Sequence, residues 1–251
     1  MQTADIDKAK DAGGRKGGRL RRIGVRMLAI VGVLWAAHLT WVNSGSNEWK
    51  PVSDKEGIRV WRMKTPGYSI MKYKVEMRLD SKLSDIVYYM SNLDTGYDVG
   101  ATDIHRLEEV AVAPVFYAYD NYKLDLKPFG NLDVMIVNHY MQEPDTKKVR
   151  INVYAAPNKK PASPGALRIV HLSDCFTLTP LEGGGVDLEV LSEMDIGLPY
   201  VLQNFFMPEV VFDESKKMRE MLKKDKYRNG KPAFITEPYR DPDRKPPQLN
   251  N

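Results

Sequence analysis

Two stretches of alternating apolar and charged residues predict a β-hairpin in the first third of the chain. Residues 58–63 alternate, the turn-forming residues 65–68 follow, and residues 70–79 alternate again. In the second stretch Met71, Tyr73, Val75, Met77 and Leu79 share one parity, and lysine, arginine and glutamate occupy the other. This period of two is typical of an antiparallel pair with one buried face.

A helical period follows the hairpin directly. Leu83, Ile86, Val87, Met90 and Leu93 are spaced three or four residues apart, and this spacing predicts an amphipathic helix whose cap is Asp80 or Ser81. The pattern weakens over residues 94–106, where we expect a loop or a short second helix.

Six further strands are predicted between residue 106 and residue 193, separated by proline- and glycine-containing turns. They cover residues 106–112, 115–126, 133–142, 149–154, 166–178 and 186–193. Runs of strands with helices only before and after them indicate an α+β domain built on an antiparallel sheet.

A long C-terminal helix is predicted from Pro199 to Leu222, because Pro199 suits the first turn of a helix. Leu198, Val201, Leu202 and Phe205 form one apolar face, and we expect this face to lie against the sheet. Pro208 predicts a kink or a break within the helix. Residues 226–251 are rich in proline and arginine, and they are expected to form a disordered tail.

The basic charge of the chain is concentrated at its N-terminus. Residues 1–26 contain eight Lys and Arg against three Asp, whereas the remaining residues contain 29 basic and 30 acidic side chains. The body of the protein therefore lacks the basic surface of a nucleic-acid-binding domain.

The apolar stretch that follows, residues 27–46, is interpreted as a transmembrane anchor with a cytoplasmic N-terminus, because Lys and Arg precede it and Trp35 and Trp41 suit its far end. A cleaved signal sequence is the alternative. Both interpretations export the domain, expected at residues 48–225, and place it in the periplasm if the source is a Gram-negative bacterium.

Few residues suggest catalysis or metal binding. Cys175 is the only cysteine and there are four histidines, so no disulfide can form within the chain, and neither a metal site nor a cofactor is expected. The sequence has no nucleophile elbow, phosphate-binding loop, dinucleotide fingerprint or zinc-protease motif. We therefore expect a binding protein and not an enzyme.

Several short motifs, in this order, resemble the START (StAR-related lipid transfer) domain over residues 48–225. They are the strand 57–62 after Trp49, the pair Tyr97-Asp98, the turn 128–133, Arg168 with Phe176 and Pro180, and Asp195-Ile-Gly-Leu-Pro199 with Asn204. The resemblance implies a helix-grip fold, in which a curved sheet wraps a C-terminal helix over a lipid-sized cavity. It also implies an apolar ligand, such as a lipid, a fatty-acyl or an isoprenoid-like molecule, admitted when the helix or the loop near Phe129-Gly130 opens.

The resemblance also suggests which residues line the cavity. Members of the family that bind a sterol carry an inward Glu and Arg on adjacent strands, and Tyr119 and Asn138 fall at those positions here. The ion pair is thus expected to be absent, so a sterol is not implied, and Asn138 is expected to bond Tyr119, water or a ligand. The candidate lipid-binding residues are Tyr117, Tyr119, Val134, Ile136, Asn138, Tyr140, Phe176, Leu198, Val201, Leu202 and Phe205, with Asn121 on the same face as Tyr119.

Other polar residues are expected to have structural roles. Arg168 is predicted to pair with Asp174 or Glu189, and His139 and His171 are predicted to face the convex side of the sheet. Two other functions remain open. One is a tethered interaction protein with a filled core, and the other is an enzyme on the same fold that uses His139.

Overall fold

A computed structural model describes residues 4–127, 130–182 and 184–238 of the chain, with the side chains of the first helix described from residue 21 onward. The helices are α1 (Ala4–Asn43), α2 (Leu83–Ser91), α3 (Asp94–Asp98) and α4 (Tyr200–Met221), followed by a 3₁₀ turn at Asp225–Tyr227. The strands are β1 (Lys50–Lys55), β2 (Ile58–Met63), β3 (Lys72–Leu79), β4 (Ala101–Val112), β5 (Val115–Asp125), β6 (Asn131–Gln142), β7 (Val149–Ala155), β8 (Ala166–Arg168), β9 (His171–Pro180) and β10 (Val186–Asp195).

Nine of the strands form a curved antiparallel sheet in the order β1-β2-β3-β10-β9-β7-β6-β5-β4, and the short β8 pairs with β6 in parallel. The predicted α+β architecture, with a curved sheet and a C-terminal helix, is confirmed. The expected lead-in before residue 58 is in fact the edge strand β1, which its polar composition concealed. The strand predicted over residues 166–178 is divided into β8 and β9.

The alternation in β3 defines the inner face of the sheet, on which α2 and α4 pack. Tyr73, Val75, Met77 and Leu79 are all buried, as the period of two predicts. The pairing register carries this face across the sheet: Val75 lies opposite Val190, and Val190 lies opposite Phe176.

Two hydrophobic clusters cover the ends of the inner face. The first joins β2, β3 and β10 to α2 and to the second half of α4, and it includes Ile58, Leu83 and Met218. The second lies toward β6 and the start of β9, and consists of Leu132, Val134, Ile136, Ile169, Leu172 and Ile196. Between these clusters the side chains of the inner face are only partly buried.

The helix α4 is rotated relative to the prediction. Its sheet-facing side carries Asn204, Met207 and Phe212, which are buried, whereas Val201 and Phe205 are 64% and 75% exposed. The prediction that Val201, Leu202 and Phe205 face the sheet is therefore wrong. Residues three and four apart can form either of two helix faces, and spacing alone did not decide which one packs.

The helix continues through Pro208 without a break. Proline has no N–H to bond the carbonyl four residues earlier, which belongs to Asn204. The Tyr73 hydroxyl donates to this carbonyl at 3.5 Å. A tyrosine from the sheet thus partly replaces the missing backbone hydrogen bond. Of the predicted kink or break, the break does not occur.

Residues 226–238 pack on the domain, so the expected disordered tail is wrong for this segment, and residues 239–251 lie outside the described part. Tyr227 and Phe234 are buried, and the Phe234 ring stacks on Phe116 with centroids 4.6 Å apart. Glu237 accepts hydrogen bonds from the first two N–H groups of α2, at 3.0 and 2.9 Å. This distant carboxylate caps α2, in place of the predicted Asp80 or Ser81.

The N-terminal helix α1 is joined closely to the domain. Its apolar part, Arg21–Asn43, is long and apolar enough to cross a membrane. The anchor predicted from the sequence covered residues 27–46. At its C-terminal end the Trp41 indole donates to the Ser69 carbonyl at 2.8 Å, and Gly67 N–H donates to the Val42 carbonyl at 2.8 Å. The Trp41 ring also stacks on Tyr200, the first residue of α4, with centroids 6.0 Å apart.

Candidate functional site

A belt of partly accessible side chains crosses the middle of the inner face, between the two buried clusters. Its members are Tyr122, Val153, Asp174, Phe176, Val190, Ser192 and Met194. Register places all of them on the inner face: Tyr122 lies opposite Val134, Val153 opposite Asp174, and Asp174 opposite Ser192. In a sheet of this kind the inner-face side chains are expected to be the least accessible to solvent. The partial accessibility of these seven side chains therefore marks the belt as the candidate ligand site.

The belt is mostly apolar with a few polar groups. Val153, Phe176, Val190 and Met194 supply carbon surface, and Val153 packs against both clusters. Asp174, Ser192 and the Tyr122 hydroxyl supply polarity. This composition suits an apolar ligand whose head group is oriented by a small number of polar contacts.

Asp174 is the most unusual member of the belt. Its Oδ1 is buried and has no hydrogen-bond partner among the described residues. Burial raises the pKa of Asp174 to about 6, although hydrogen bonds from the Ser192 side chain and from the Glu193 N–H lower it in part. The pKa of Tyr122 is also raised, first by burial and then by the negative charges of Asp174 and Asp120.

A second polar group on the inner face is an ion pair that the sequence did not predict. Arg106 on β4 donates to both carboxylate oxygens of Asp120 on β5, at 2.8 and 3.0 Å. Asn138 on β6 donates to Asp120 at 2.7 Å. This face therefore carries an ion pair, but at residues other than the expected positions 119 and 138. Asn138 donates to Asp120 and not to Tyr119, which was one of its three expected partners.

The error arose from the parity of β5. Asn138 lies opposite Ala118, and Ile136 lies opposite Asp120, so the inner face of β5 carries even-numbered residues. Tyr117 and Tyr119 therefore lie on the outer face, where their rings contact each other with centroids 5.2 Å apart. A shift of one residue in the alignment moves every side chain to the opposite face.

The eleven candidate residues thus divide into two groups. Val134, Ile136, Asn138, Tyr140 and Phe176 share the inner face, and Leu198 packs against the second cluster. Of these, Phe176 alone belongs to the belt, and the first four are buried around it. Tyr117, Tyr119, Val201, Leu202 and Phe205 lie elsewhere, on the outer face of the sheet or the exposed side of α4.

Sequence reasoning missed Asp174, Ser192 and Tyr122. One signal for Asp174 was present: it shares the parity of Leu172, Phe176 and Leu178, so it is a carboxylate within an apolar stripe. Burial of a charged side chain at such a position costs free energy unless the charge is compensated. A carboxylate in an apolar stripe is therefore a signal of a functional role.

Arg168 forms a structural ion pair on the outer face, but not with either predicted partner. It donates to Asp133 at 2.8 Å and also holds the carbonyls of Pro157 and Lys160 at 2.7 and 2.9 Å. Burial alone would raise the pKa of Asp133, but hydrogen bonds from the Ser163 N–H, Arg168 and Asn121 lower it to about 2. This network fixes the 156–168 loop over β6, which also explains why Asn121 is buried on the outer face.

The start of α4 is fixed to the sheet by two buried amides. Gln203 donates to the Met194 carbonyl at 2.5 Å and accepts from the Ile196 N–H at 3.1 Å. Asn204 donates to the Ser69 carbonyl and accepts from the Met71 N–H, both at 3.0 Å. Before the helix Gly197 has φ +76°, and a Cβ there would lie 2.3 Å from the Leu167 side chain, so the left-handed backbone of this turn favours glycine.

Other parts of the described structure give less support for a ligand, metal or catalytic site. Within the described ranges no group of three or more His, Cys, Asp or Glu is placed to hold a metal ion. His139 lies against the Tyr117 ring, and His171 contacts Glu193 at 3.0 Å. A groove of about 500 Å³ on the outer face is lined by charged residues such as Arg59 and Glu76, but these two pair with each other at 2.8 Å.

Comparison with known proteins supports the fold but supplies no close relative. No family model matches the chain, and no curated protein shows significant similarity to it. Among solved structures, a STAR-related lipid transfer protein from Xanthomonas axonopodis superposes with a TM-score of 0.62 and 23% identity, over 70% of this chain and 99% of that one.

Two human structures give similar superpositions. Human StAR-related lipid transfer protein 5 superposes with a TM-score of 0.59 and 14% identity, over 79% of this chain and 97% of that one. The lipid transfer and protein localization domain of human StarD13 gives 0.62 and 12%, over 77% and 96%. The fold of this protein is therefore START-like, as the sequence motifs suggested.

Proposed function

We propose that this protein is a membrane-tethered lipid-binding domain that holds one apolar ligand against the belt. The observation that carries the proposal is the accessible, mostly apolar belt between two buried clusters on the inner face. The START-like fold supports it, because the similar solved structures are named as lipid transfer proteins.

Desolvation would drive binding. Apolar surface removed from water contributes about 25 cal/mol per Å², so a ligand that buries roughly 300 Å² of acyl surface would gain about 7 kcal/mol before the costs of association. The polar groups of the belt would orient the ligand and contribute less to its affinity.

We also propose that the exposed side of α4 rests on the bilayer that α1 enters. An apolar helix of 23 residues is about 34 Å long at 1.5 Å per residue, enough to cross a hydrocarbon core of about 30 Å. Trp41 near its end stacks on Tyr200, so the first turns of α4 lie at the membrane surface. Val201, Leu202, Phe205, Phe206 and Val210, all exposed, would then contact lipid, and a ligand would exchange near this end of α4.

In this proposal the basic N-terminus lies in the cytoplasm and the domain faces the periplasm or the outside. The alternative is cleavage of the N-terminal segment and release of the domain. The packing of Trp41 and Val42 against residues 64–69 favours an anchor that is retained. The gating loop suggested near Phe129 includes residues 128 and 129, which lie outside the described part.

We propose binding and not catalysis as the activity. The acid–base pair required by an enzyme on this fold, His139 with Asp133, would have to form on the outer face. There Asp133 is engaged by Arg168, Asn121 and Ser163. A tethered interaction protein with a filled core is less well supported, because the inner face between the clusters is only partly buried.

Native mass spectrometry of the full chain, purified in mild detergent from cells, tests the lipid-binding proposal. We expect one co-purifying or exchangeable lipid per chain. Val153→Phe, which fills the belt, should reduce the bound fraction at least tenfold. The matched control is Val112→Phe at a site on β4 that is 67% exposed, and it should bind as the wild type does. A wild-type chain that neither carries nor takes up lipid would contradict the proposal.

A further inference from the structure

The inner face contains one carboxylate whose hydrogen bonding is incomplete. Asp174 lies near the middle of β9, between Val153 on β7 and Ser192 on β10. Its Oδ1 is buried without a partner among the described residues. Buried polar atoms in folded proteins nearly always have a partner, so one left without points to a missing donor.

Two other buried atoms in the described part lack hydrogen-bond partners, but neither of them faces the belt. Thr95 Oγ1 lies in the short helix α3, away from the belt. Arg168 Nε belongs to a guanidinium whose two terminal nitrogens already make four hydrogen bonds on the outer face. Of the three, Asp174 alone faces the belt.

The surroundings of Asp174 determine which ligand group would satisfy it. The interactions that favour its charged form come from the uncharged Ser192 side chain and the Glu193 N–H. Arg106, the inner-face cation described above, lies on β4, which β7, β6 and β5 separate from β9, and it is already held by Asp120 through two hydrogen bonds. A carboxylate in this setting accepts hydrogen bonds from a neutral or cationic donor and repels an anion.

We propose, building on the lipid-binding function above, that Asp174 recognises the ligand head group and selects lipids with a hydroxyl or amine head over lipids with an anionic head. The head group donates a hydrogen bond to Oδ1, and the acyl or ring portion lies along Val153, Phe176, Val190 and Met194. Tyr122, whose pKa is raised by burial and by the charge of Asp174, adds a hydroxyl to the belt.

Three probes with the same hydrocarbon chain and different heads test this selectivity: hexadecanol, hexadecylamine and hexadecanoate. The full chain is reconstituted in phosphatidylcholine nanodiscs that contain each probe at equal mole fraction, so that partition into the bilayer does not differ. Native mass spectrometry measures the fraction of protein that carries each probe. We expect wild-type protein to bind the alcohol and the amine at least tenfold more than the carboxylate.

Asp174→Asn keeps the size of the side chain and removes its charge. The preference for hexadecylamine over hexadecanoate should fall about tenfold or more. The fraction of protein that carries hexadecanol should fall less, because the asparagine amide oxygen still accepts a hydrogen bond from the hydroxyl. The matched control is Asp187→Asn, which changes an exposed aspartate on the outer face of β10 and should leave all ratios unchanged.

The outcomes separate the two proposals. If no probe binds the wild type, the lipid-binding function fails and the role of Asp174 fails with it. If all three bind equally, or if Asp174→Asn and Asp187→Asn give the same ratios as the wild type, lipid binding stands and head-group selection by Asp174 is refuted.

Discussion

Replacement of Phe205 by Asp distinguishes a sheet-facing from a membrane-facing α4. The sequence pattern assigned Phe205 to the face that packs on the sheet, where a charge would unfold the domain. In the structure its side chain is 75% exposed. We therefore expect Phe205→Asp to change the free energy of unfolding by less than about 0.5 kcal/mol, the usual range for a surface substitution.

The same change should have a large effect on membrane contact. A phenylalanine side chain offers roughly 200 Å² of surface, of which about 150 Å² would be free here to enter the bilayer interface. At about 25 cal/mol per Å² this corresponds to about 4 kcal/mol. Loss of that contact, together with the cost of a carboxylate at the interface, should lift the first turns of α4 from the membrane.

Two measurements on the full chain in nanodiscs test the prediction, with Met207→Asp as the control. Met207 is two residues away and 4% exposed, so its replacement should cost about 3 kcal/mol or more through a lost core contact and a buried charge. Urea unfolding reports stability, and cross-linking from a photoactivatable phosphatidylcholine, mapped by peptide mass spectrometry, reports contact with lipid. If Phe205→Asp destabilises the domain as much as Met207→Asp, the assigned face of α4 is wrong. If wild-type α4 is not cross-linked, the membrane contact is wrong.

Three further changes test the packing. Phe234→Ala should destabilise the domain by about 3 to 5 kcal/mol in thermal unfolding, because its ring is buried against Phe116 and Tyr140; no change would mean that residues 226–238 do not pack as described. Asp133→Asn should cost about 3 kcal/mol or more at neutral pH by leaving Arg168 without its partner. Since the pKa of Asp133 is lowered to about 2, the wild type should lose about 2 kcal/mol as the pH falls from about 4 to about 2, and an equal loss in the variant would contradict this. Asp174→Asn should instead stabilise the domain, because a pKa raised to about 6 means that ionisation above that pH costs the native state about 3 kcal/mol. Denaturation at pH 7 should therefore show that the variant is more stable than the wild type. The wild type should also gain stability as the pH falls from about 6 to about 4, and the variant should not.

Local patterns were sufficient where one face of an element was clearly apolar. The period of two in β3 correctly predicts that Tyr73, Val75, Met77 and Leu79 are buried, because each alternate position is charged. The helical spacing of Leu83, Ile86 and Val87 does the same for α2. The order of strands and helices then indicates the α+β class and, with the short motifs, the START-like fold.

The pattern failed where both faces of an element carry apolar residues. In β5 the tyrosines 117 and 119 alternate with Phe116 and Ala118, so either parity could have been the inner one, and only pairing with β6 decided it. In α4 the apolar residues Val201 and Phe205 are separated by the polar pair Gln203 and Asn204. Composition favoured the apolar side for burial, yet the two amides are buried because Met194, Ile196, Ser69 and Met71 supply their hydrogen-bond partners.

The sequence by itself determined the apolar N-terminal helix, the sheet and the class of fold, because these depend on periodicity and composition over short stretches. Tertiary structure alone decided the residues of the candidate site. Asp174, Ser192 and Tyr122 come from three strands, and they share one surface only after β5, β9 and β10 take their places in the sheet. The incomplete hydrogen bonding of Asp174 is a property of that assembled surface, since a donor for its carboxylate could have come from any neighbouring element.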